Sequence, residues 1–396
     1  MKILIMCEVL DLEGTSEGIV SNSFIIKYLK SFPDHHVEVM YIRSVKRGFK
    51  NDNRNTFALQ KHIFSRRKFN LFAKILNKLV NKKIYECPNI KKFKNILSNQ
   101  DLSKYDNIFV RSGGLSYYLV RSLKDNCNLN KMILYFHDPY PPSIYPGSNS
   151  EFSKSEYFKI KEMRAIVQKA KTVFSPSKKL SNDLGFLFGR RFKTIPHQFD
   201  EAIFSNYKIN KNEDLDDDHF YIMYHGAIQH DRNLDLVLKV FTELLVKYSS
   251  FEKFKFIIRS NGNEVNYLKK KYEYHKNIIF LKKISAYESF IEQKKYASLS
   301  IILETNGEYS NILGGKVPML VSFNANILCI TSKDSELKRL LKKSPENYSE
   351  YNFNNIEEKL KLKLDDILKG DDYSNPLQGY FLENIFKNKI ESILLL

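Results

Sequence analysis

Apolar residues along this chain fall into two patterns that take turns from the N-terminus onward: short β-rich runs, and longer stretches with apolar positions three and four apart. KILIMCEV reads as an opening strand and GIVSNSFIIKYLKSF as the amphipathic helix after it. HVEVMYI is the second strand. YDNIFVRS, KMILYFHDP and KTVFSPS are three more, each ending in a polar or Gly/Pro-rich loop. After the turn at Pro196, KINKNEDLDDDH is highly charged, poor in apolar residues and aperiodic, which predicts a solvated linker. The alternation restarts at Phe220. FYIMYHG, FKFIIRSNG, NIIFLKKIS, LSIILET and ILCIT read as strands, LDLVLKVFTELLVKY as a strongly amphipathic helix, and NPLQGYFLENIFKNKIESILLL as a last helix. Strand and helix in alternation predict parallel sheets covered by helices, with ligands at the C-terminal ends of the strands. The predicted fold class is α/β, with two Rossmann-like domains facing across a cleft. Residues 1–205 form the first, 206–219 the linker, 220–375 the second, and 376–396 a helix that is a candidate to cross back to the N-terminal domain.

With 396 residues, 43% of them hydrophobic, the chain can bury two ordinary cores. Cys7, Cys87, Cys127 and Cys329 lie far apart with no CxxC pair, which points away from a disulfide scaffold or metal site and toward a reducing compartment. MKILIMCEVLDLEG lacks the apolar core and cleavage site of a signal peptide, and no run approaches the roughly 20 apolar residues of a spanning helix. The expectation is a cytoplasmic protein, at most peripheral on the inner face of the plasma membrane.

The formal net charge of +18 draws anionic partners. It is concentrated: between Arg43 and Lys94 the chain has 16 Lys and Arg against only Asp52 and Glu86. Within that segment, IFSRRKFNLFAKILNKLVNKKI places Phe64, Phe69, Leu71, Phe72, Ile75, Leu76, Leu79 and Val80 on one helical face and cations on the other. This suits either an interfacial helix on anionic lipid or an amphipathic helix packed on its own domain. The aromatics follow helical spacing instead of forming a stacking platform, so no nucleic-acid partner is expected. The Asp216-Asp217-Asp218 run has no companion ligands and reads as linker charge rather than a metal site.

Five stretches, in this order, resemble the family 4 glycosyltransferases, also called glycosyl transferases group 1. They are MKILIMCEVLDLEGTSEGIVSNSFIIKYLK, KMILYFHDPYPPSIYP, AKTVFSPSKKLSNDL with KTIPHQFDEAIF, IMYHGAIQHDRNLDLVLKVFTELL, and GGKVPMLVSFNANILCITSKDSELKRLL. The resemblance covers nearly the whole chain. It implies a GT-B fold, an acceptor-side N-terminal domain, a C-terminal domain holding a nucleotide-sugar, no metal, no cofactor beyond that donor substrate, and retention of configuration. The implied acceptor is a glycan or polyprenyl-linked carrier of a growing bacterial surface glycan, such as an O-antigen or capsule unit, with the basic segment 43–94 as an anionic membrane contact.

Transfer from a nucleotide diphosphate without a metal requires cations aimed at the leaving group. Arg232, between the Gly226 turn and the helix near Leu234, and Lys316, after Gly314-Gly315, are the leading candidates; the plain alternatives are a surface arginine and an ordinary turn. Arg259 is a third cation or a salt-bridge partner. By resemblance, Gly14 and Thr15 approach the diphosphate from the opposite domain, Lys283 and Ile284 face the nucleobase, and His137 with Asp138 stand at the reacting sugar as catalytic candidates, a strand-capping histidine being the rival reading. The family commonly has a ribose-gripping glutamate where this chain has Met319. Glu308, Glu304, Ser310 and Asn311 are the candidates to hold ribose or sugar in its place. The competing functions are a catalytically degenerate GT-B partner subunit and, behind it, a nucleotide-sugar 2-epimerase.

Overall fold

The computed structural model describes residues 1–13, 16–46, 55–66, 75, 87–113, 116–148, 150–207, 215–228 and 231–395. The N-terminal sheet is built from β1 (Lys2–Cys7), β2 (His36–Val45), β3 (Gln60–Ser65), β4 (Asn107–Ser112), β5 (Met132–Phe136), β6 (Thr172–Ser175) and β7 (Lys193–Thr194). All pair in parallel, in the order β3-β2-β1-β4-β5-β6-β7. The second domain repeats the plan with β8 (Phe220–His225), β9 (Phe254–Arg259), β10 (Ile278–Leu281) and β11 (Ala297–Leu303), then, past the two-residue β12 (Tyr309–Ser310), β13 (Ile327–Thr331) and, past β14 (Asp334–Ser335), β15 (Tyr348–Glu350). Its order is β10-β9-β8-β11-β13-β15, while β12 and β14 pair separately. Each sheet starts in the middle, grows to one edge and reverses, which opens a crevice at the C-terminal ends of its first and fourth strands.

Both faces of each sheet are covered, so its central strands are largely apolar instead of alternating. In the first domain Leu4, Met6, Val110 and Leu134 pack on Met163, Val167 and Leu184, while Ile3, Ile5, Phe109 and Ile133 pack on Phe24 and Tyr28. The helix Glu383–Leu394 completes that second layer. Its Phe386, Ile390 and Ile393 are buried there, and Phe386 meets Phe24 edge-on at 5.5 Å. The C-terminal helix therefore does cross back to the N-terminal domain. In the second domain Ile222, Phe256 and Leu328 face Val237 and Phe241 of the Leu234–Lys247 helix on one side, with Ile356 and Leu360 of Phe353–Lys369 beside them.

The domains are joined by an apolar cluster that includes Leu12, Ile19, Phe199 and Phe204 from one side and Tyr287, Phe290, Val317 and Met319 from the other. A polar joint lies beside it. Glu336 accepts the backbone N–H groups of Lys178 (3.0 Å) and Lys179 (3.2 Å) at the start of the helix Lys178–Phe188, and Arg339 holds the same carboxylate at 3.1 and 2.7 Å. Asp183, on that helix, accepts from Tyr309 (2.8 Å) and Asn311 (2.6 Å), and Ser177 donates its hydroxyl to the Asn311 carbonyl.

Two expectations from sequence change. Phe64 belongs to the edge strand β3, not to an amphipathic helix, and packs edge-on against Phe93 at 5.3 Å. Of the other apolar positions predicted for that helix only Ile75 is among the described residues. The linker, of which 208–214 lie outside the described residues, is not wholly solvated: Leu215 is buried with Tyr221, Met223 and Ile257. Among the described residues no helix is long and apolar enough to cross a membrane.

Candidate active site

A cleft of about 500 Å³ runs between the domains, walled by the C-terminal ends of β1, β5, β8, β9 and β11 and by the segment 312–320. The second-domain wall is cationic. Lys316 ends the Gly314-Gly315 turn, Arg232 enters from the loop after β8, and Lys283 sits on the rim. Burial, with Arg232 and Lys283 adding to it, brings the Lys316 ammonium down to about 7. Three basic side chains converge here, and among the described residues none has a carboxylate within ion-pair distance. Arg232 donates to the Ala227 carbonyl (3.2 Å), while its Nε is buried without a partner among the described residues. The turn beneath is fixed by Tyr224, whose hydroxyl donates to the same carbonyl at 2.8 Å.

Two glycines make this arrangement possible. A Cβ at Gly226 would stand 2.6 Å from Lys316 Nζ, so the bare backbone is what lets the lysine reach the cleft floor. A Cβ at Gly315 would stand 2.9 Å from Ser16 Cβ and 3.3 Å from Val20. Gly315 thus serves the close approach of the helix Ser16–Ser31 across the cleft.

Arg259 lines the cleft, but its Nε and Nη2 donate to the two oxygens of Glu292, at 2.9 and 2.6 Å, and its Nη1 to the Lys282 carbonyl at 3.2 Å. Glu292 also lies 3.2 Å from His225 Nε2, and His225 Nδ1 lies 2.8 Å from the Ser289 hydroxyl. Burial works to raise the Glu292 carboxyl, yet its hydrogen bonds to His225 and Arg259 outweigh it and hold the group below its ordinary value. Arg259 is thus a salt-bridge partner within the cleft lining. It braces the wall behind Lys283 and Ile284, both of which line the cleft.

On the facing wall His137 directly follows β5. The residue is 3% exposed; its ring stacks on His197 at 5.5 Å and meets Tyr135 edge-on at 4.8 Å, and neither ring nitrogen has a hydrogen-bond partner among the described residues. Burial first, then the charge of Arg111, pushes its pKa well below the usual imidazole range, and the same two causes bring His197 down to about 3. Arg111 is itself held between Phe24 and Tyr135, 4.3 Å from each ring centroid. His137 is thus a neutral imidazole, able to exchange hydrogen bonds with a hydroxyl but a poor base at pH 7. Asp138 beside it is raised to about 6 by burial, and its backbone is pinned by the Tyr117 hydroxyl, which donates to its carbonyl (2.6 Å) and accepts from its N–H (2.9 Å).

The four ribose or sugar candidates fall elsewhere. Glu308 is 80% exposed and paired with Lys333 at 2.7 Å, outside the cleft. Glu304 lies under the floor; burial raises it to about 8, so it is protonated at pH 7, and both oxygens lie short of full hydrogen-bond geometry with their neighbours Ser332 and Ser335. Ser310 and Asn311 belong to the interdomain joint. Met319 does line the cleft, while its bulk is part of the joining apolar cluster. Gly14 and Thr15 lie outside the described residues. Among the described residues no group of three or more His, Cys, Asp or Glu could hold a metal ion. Sequence reasoning missed Glu292 and Arg111, and it gave Ser260 only a loop-shaping part, whereas its buried hydroxyl stands in the cleft wall with no partner among the described residues. Only their strand-end and helix positions hinted at them.

Two doubly wound sheets closing on a charged cleft, with the last helix returned to the first domain, define the GT-B architecture. No protein family's sequence model matches the chain, and no curated protein matches it. Solved structures do. The chain is similar over 99% of its length to 97% of a glycosyltransferase from Rickettsia africae, at 13% identity and a TM-score of 0.63. It is similar over its whole length to 96% of a sucrose-phosphate synthase from Thermosynechococcus elongatus (11%, 0.58) and to all of a UDP-GlcNAc 2-epimerase from Neisseria meningitidis bound to UDP-GlcNAc (11%, 0.54). At these identities the likeness establishes the fold.

Proposed function

We propose that this chain is a metal-independent glycosyltransferase, moving a sugar from a nucleotide-diphosphate donor to a glycan or polyprenyl-linked acceptor of a bacterial surface glycan. The observation that carries the reading is the convergence of Lys316 and Arg232 on the cleft floor, with Lys283 at its rim, without a carboxylate partner among the described residues. Such a cluster repels itself, and a diphosphate converts that repulsion into attraction. As the glycosidic bond breaks, negative charge grows on the leaving phosphate oxygen, and cations already in place stabilise it without reorganisation. His137, neutral and unpartnered on the facing wall, supplies hydrogen bonds to the transferred sugar. Retention by family resemblance needs no protein base, since the departing phosphate oxygen takes the acceptor proton.

A degenerate partner subunit is the second reading, favoured by Met319 at the ribose position and by the outward ion pair of Glu308. A thermal-shift panel of UDP, GDP, CMP and uridine separates them. The transferase reading expects stabilisation by one nucleoside diphosphate and little by the nucleoside. A chain that responds to none has lost its donor site.

A further inference from the structure

The helix Lys154–Lys169 has one face in the first-domain core, through Met163, Ile166 and Val167. The opposite face is bare. Lys154, Tyr157, Phe158, Lys161, Arg164, Ala165, Gln168 and Lys169 are all exposed and recur at spacings of three and four, so they share one stripe of surface. That stripe carries four cations and no carboxylate. The acids of the helix are engaged elsewhere: Glu156 closes the capping box with Ser153, and Glu162 pairs with Arg121 at 3.3 Å. At the N-terminal end the stripe is aromatic, with Tyr157 56% and Phe158 40% exposed, and Phe152, just ahead of the cap, 54% exposed. The neighbouring helix Lys178–Phe188 is tied on by Gln168, which donates to the Phe188 and Gly189 carbonyls at 3.0 and 2.8 Å, and it presents Phe186 at 93% exposure.

We propose that this helix face, together with Phe152, docks the protein on an anionic phospholipid bilayer. Cations along a helix are attracted to the negative headgroups, and aromatic rings at one end can enter the interfacial layer, where an amphipathic surface gains both terms. The alternatives fit less well. A second copy would bring the same cationic stripe against itself. A single-stranded nucleic acid needs ring faces presented for stacking, whereas Tyr157 and Phe158 meet edge-on, 5.9 Å apart at 68°. The placement also suits the site. The connection leading into the helix starts at His137 and Asp138, and both they and Tyr145 line the cleft, so a bilayer held here lies on the acceptor side of the molecule. This surface is separate from the basic segment 43–94, and the test must tell the two apart.

The chain has no tryptophan, so Phe158→Trp installs a single reporter within the stripe. With vesicles of equal parts phosphatidylglycerol and phosphatidylcholine, its emission should shift to the blue and be quenched by brominated acyl chains; pure phosphatidylcholine should do neither. Independently, Lys161→Glu with Arg164→Glu should weaken sedimentation with the anionic vesicles by about thirtyfold or more, the equivalent of ~1 kcal/mol for each of two cations. Circular dichroism and thermal unfolding confirm that each variant is folded. Emission that stays unmoved while the protein sediments would assign binding to another surface and overturn the proposal. So would unchanged sedimentation of the charge-reversed variant, or a stripe that binds single-stranded RNA but not vesicles.

Discussion

Lys316 is where chemistry and environment meet most sharply. A lysine brought down to about 7 by burial and by its cationic neighbours is only partly charged in the free protein at neutral pH. A bound diphosphate favours its charged form, so binding raises its pKa and takes up a proton. The sign follows: affinity is fully present below pH 7 and is lost as pH rises above it, by at most tenfold per unit until the raised value of the complex is reached. Calorimetry of the nucleoside diphosphate in buffers of different ionisation enthalpy should show proton uptake near neutrality, and Lys316→Arg, always charged, should abolish both the uptake and the pH slope. A slope that survives in the arginine variant would place the titrating group elsewhere. The positions of Arg232 and Lys316 were legible in sequence because each stands between a glycine turn and a helix start, Gly226 before Leu234 and Gly314-Gly315 before Val317. The engagement of Arg259 and Glu308 was not. Glu292 is 33 residues from Arg259 and Lys333 is 25 from Glu308, and nothing in local spacing announces either pair.

Among elements, the strongly periodic ones were the legible ones. The Leu234–Lys247 helix and the central strands declare themselves by apolar periodicity, whereas β3 (QKHIFS) and β7 (KT) are short edge strands whose few residues hold no pattern. The turn after β8 offers a test at this scale. Gly226→Ala would set a methyl 2.6 Å from the flexible tip of Lys316, which can move, and 3.3 Å from the Tyr224 hydroxyl. Unfolding free energy should therefore change little while diphosphate affinity falls and nucleoside affinity stays. Equal losses for both ligands would show that the turn shapes the base pocket instead. The returning C-terminal helix gives the opposite outcome. Phe386→Ala removes a 2% exposed ring packed on Phe24 and should cost about 3–5 kcal/mol in urea unfolding. A loss below ~1 kcal/mol would mean that the helix is not docked in solution.

At the scale of the whole molecule, the two walls of the cleft are charged differently, and the joint that faces them together is itself ionic. Asp183 and Glu336 hold the small β12–β14 pair against the helix Lys178–Phe188, and the same loop continues into Gly314-Gly315-Lys316. Domain approach and placement of the lysine are therefore one structural fact, carried by Ser16 lying against Gly315. The fold was legible because two successive α/β alternations admit few topologies. The joint was not, because each of its contacts between the domains crosses more than a hundred residues of sequence. The central claim is that the cationic floor binds the diphosphate of a nucleotide donor. The measurement that tests it most directly is calorimetry of UDP, GDP and their nucleosides against the unaltered protein, Arg232→Ala and Lys316→Ala. Each substitution should weaken the preferred diphosphate by on the order of 1.5–3 kcal/mol while the nucleoside is nearly unaffected. Loss of nucleoside and diphosphate alike, or diphosphate binding untouched in both variants, would contradict it.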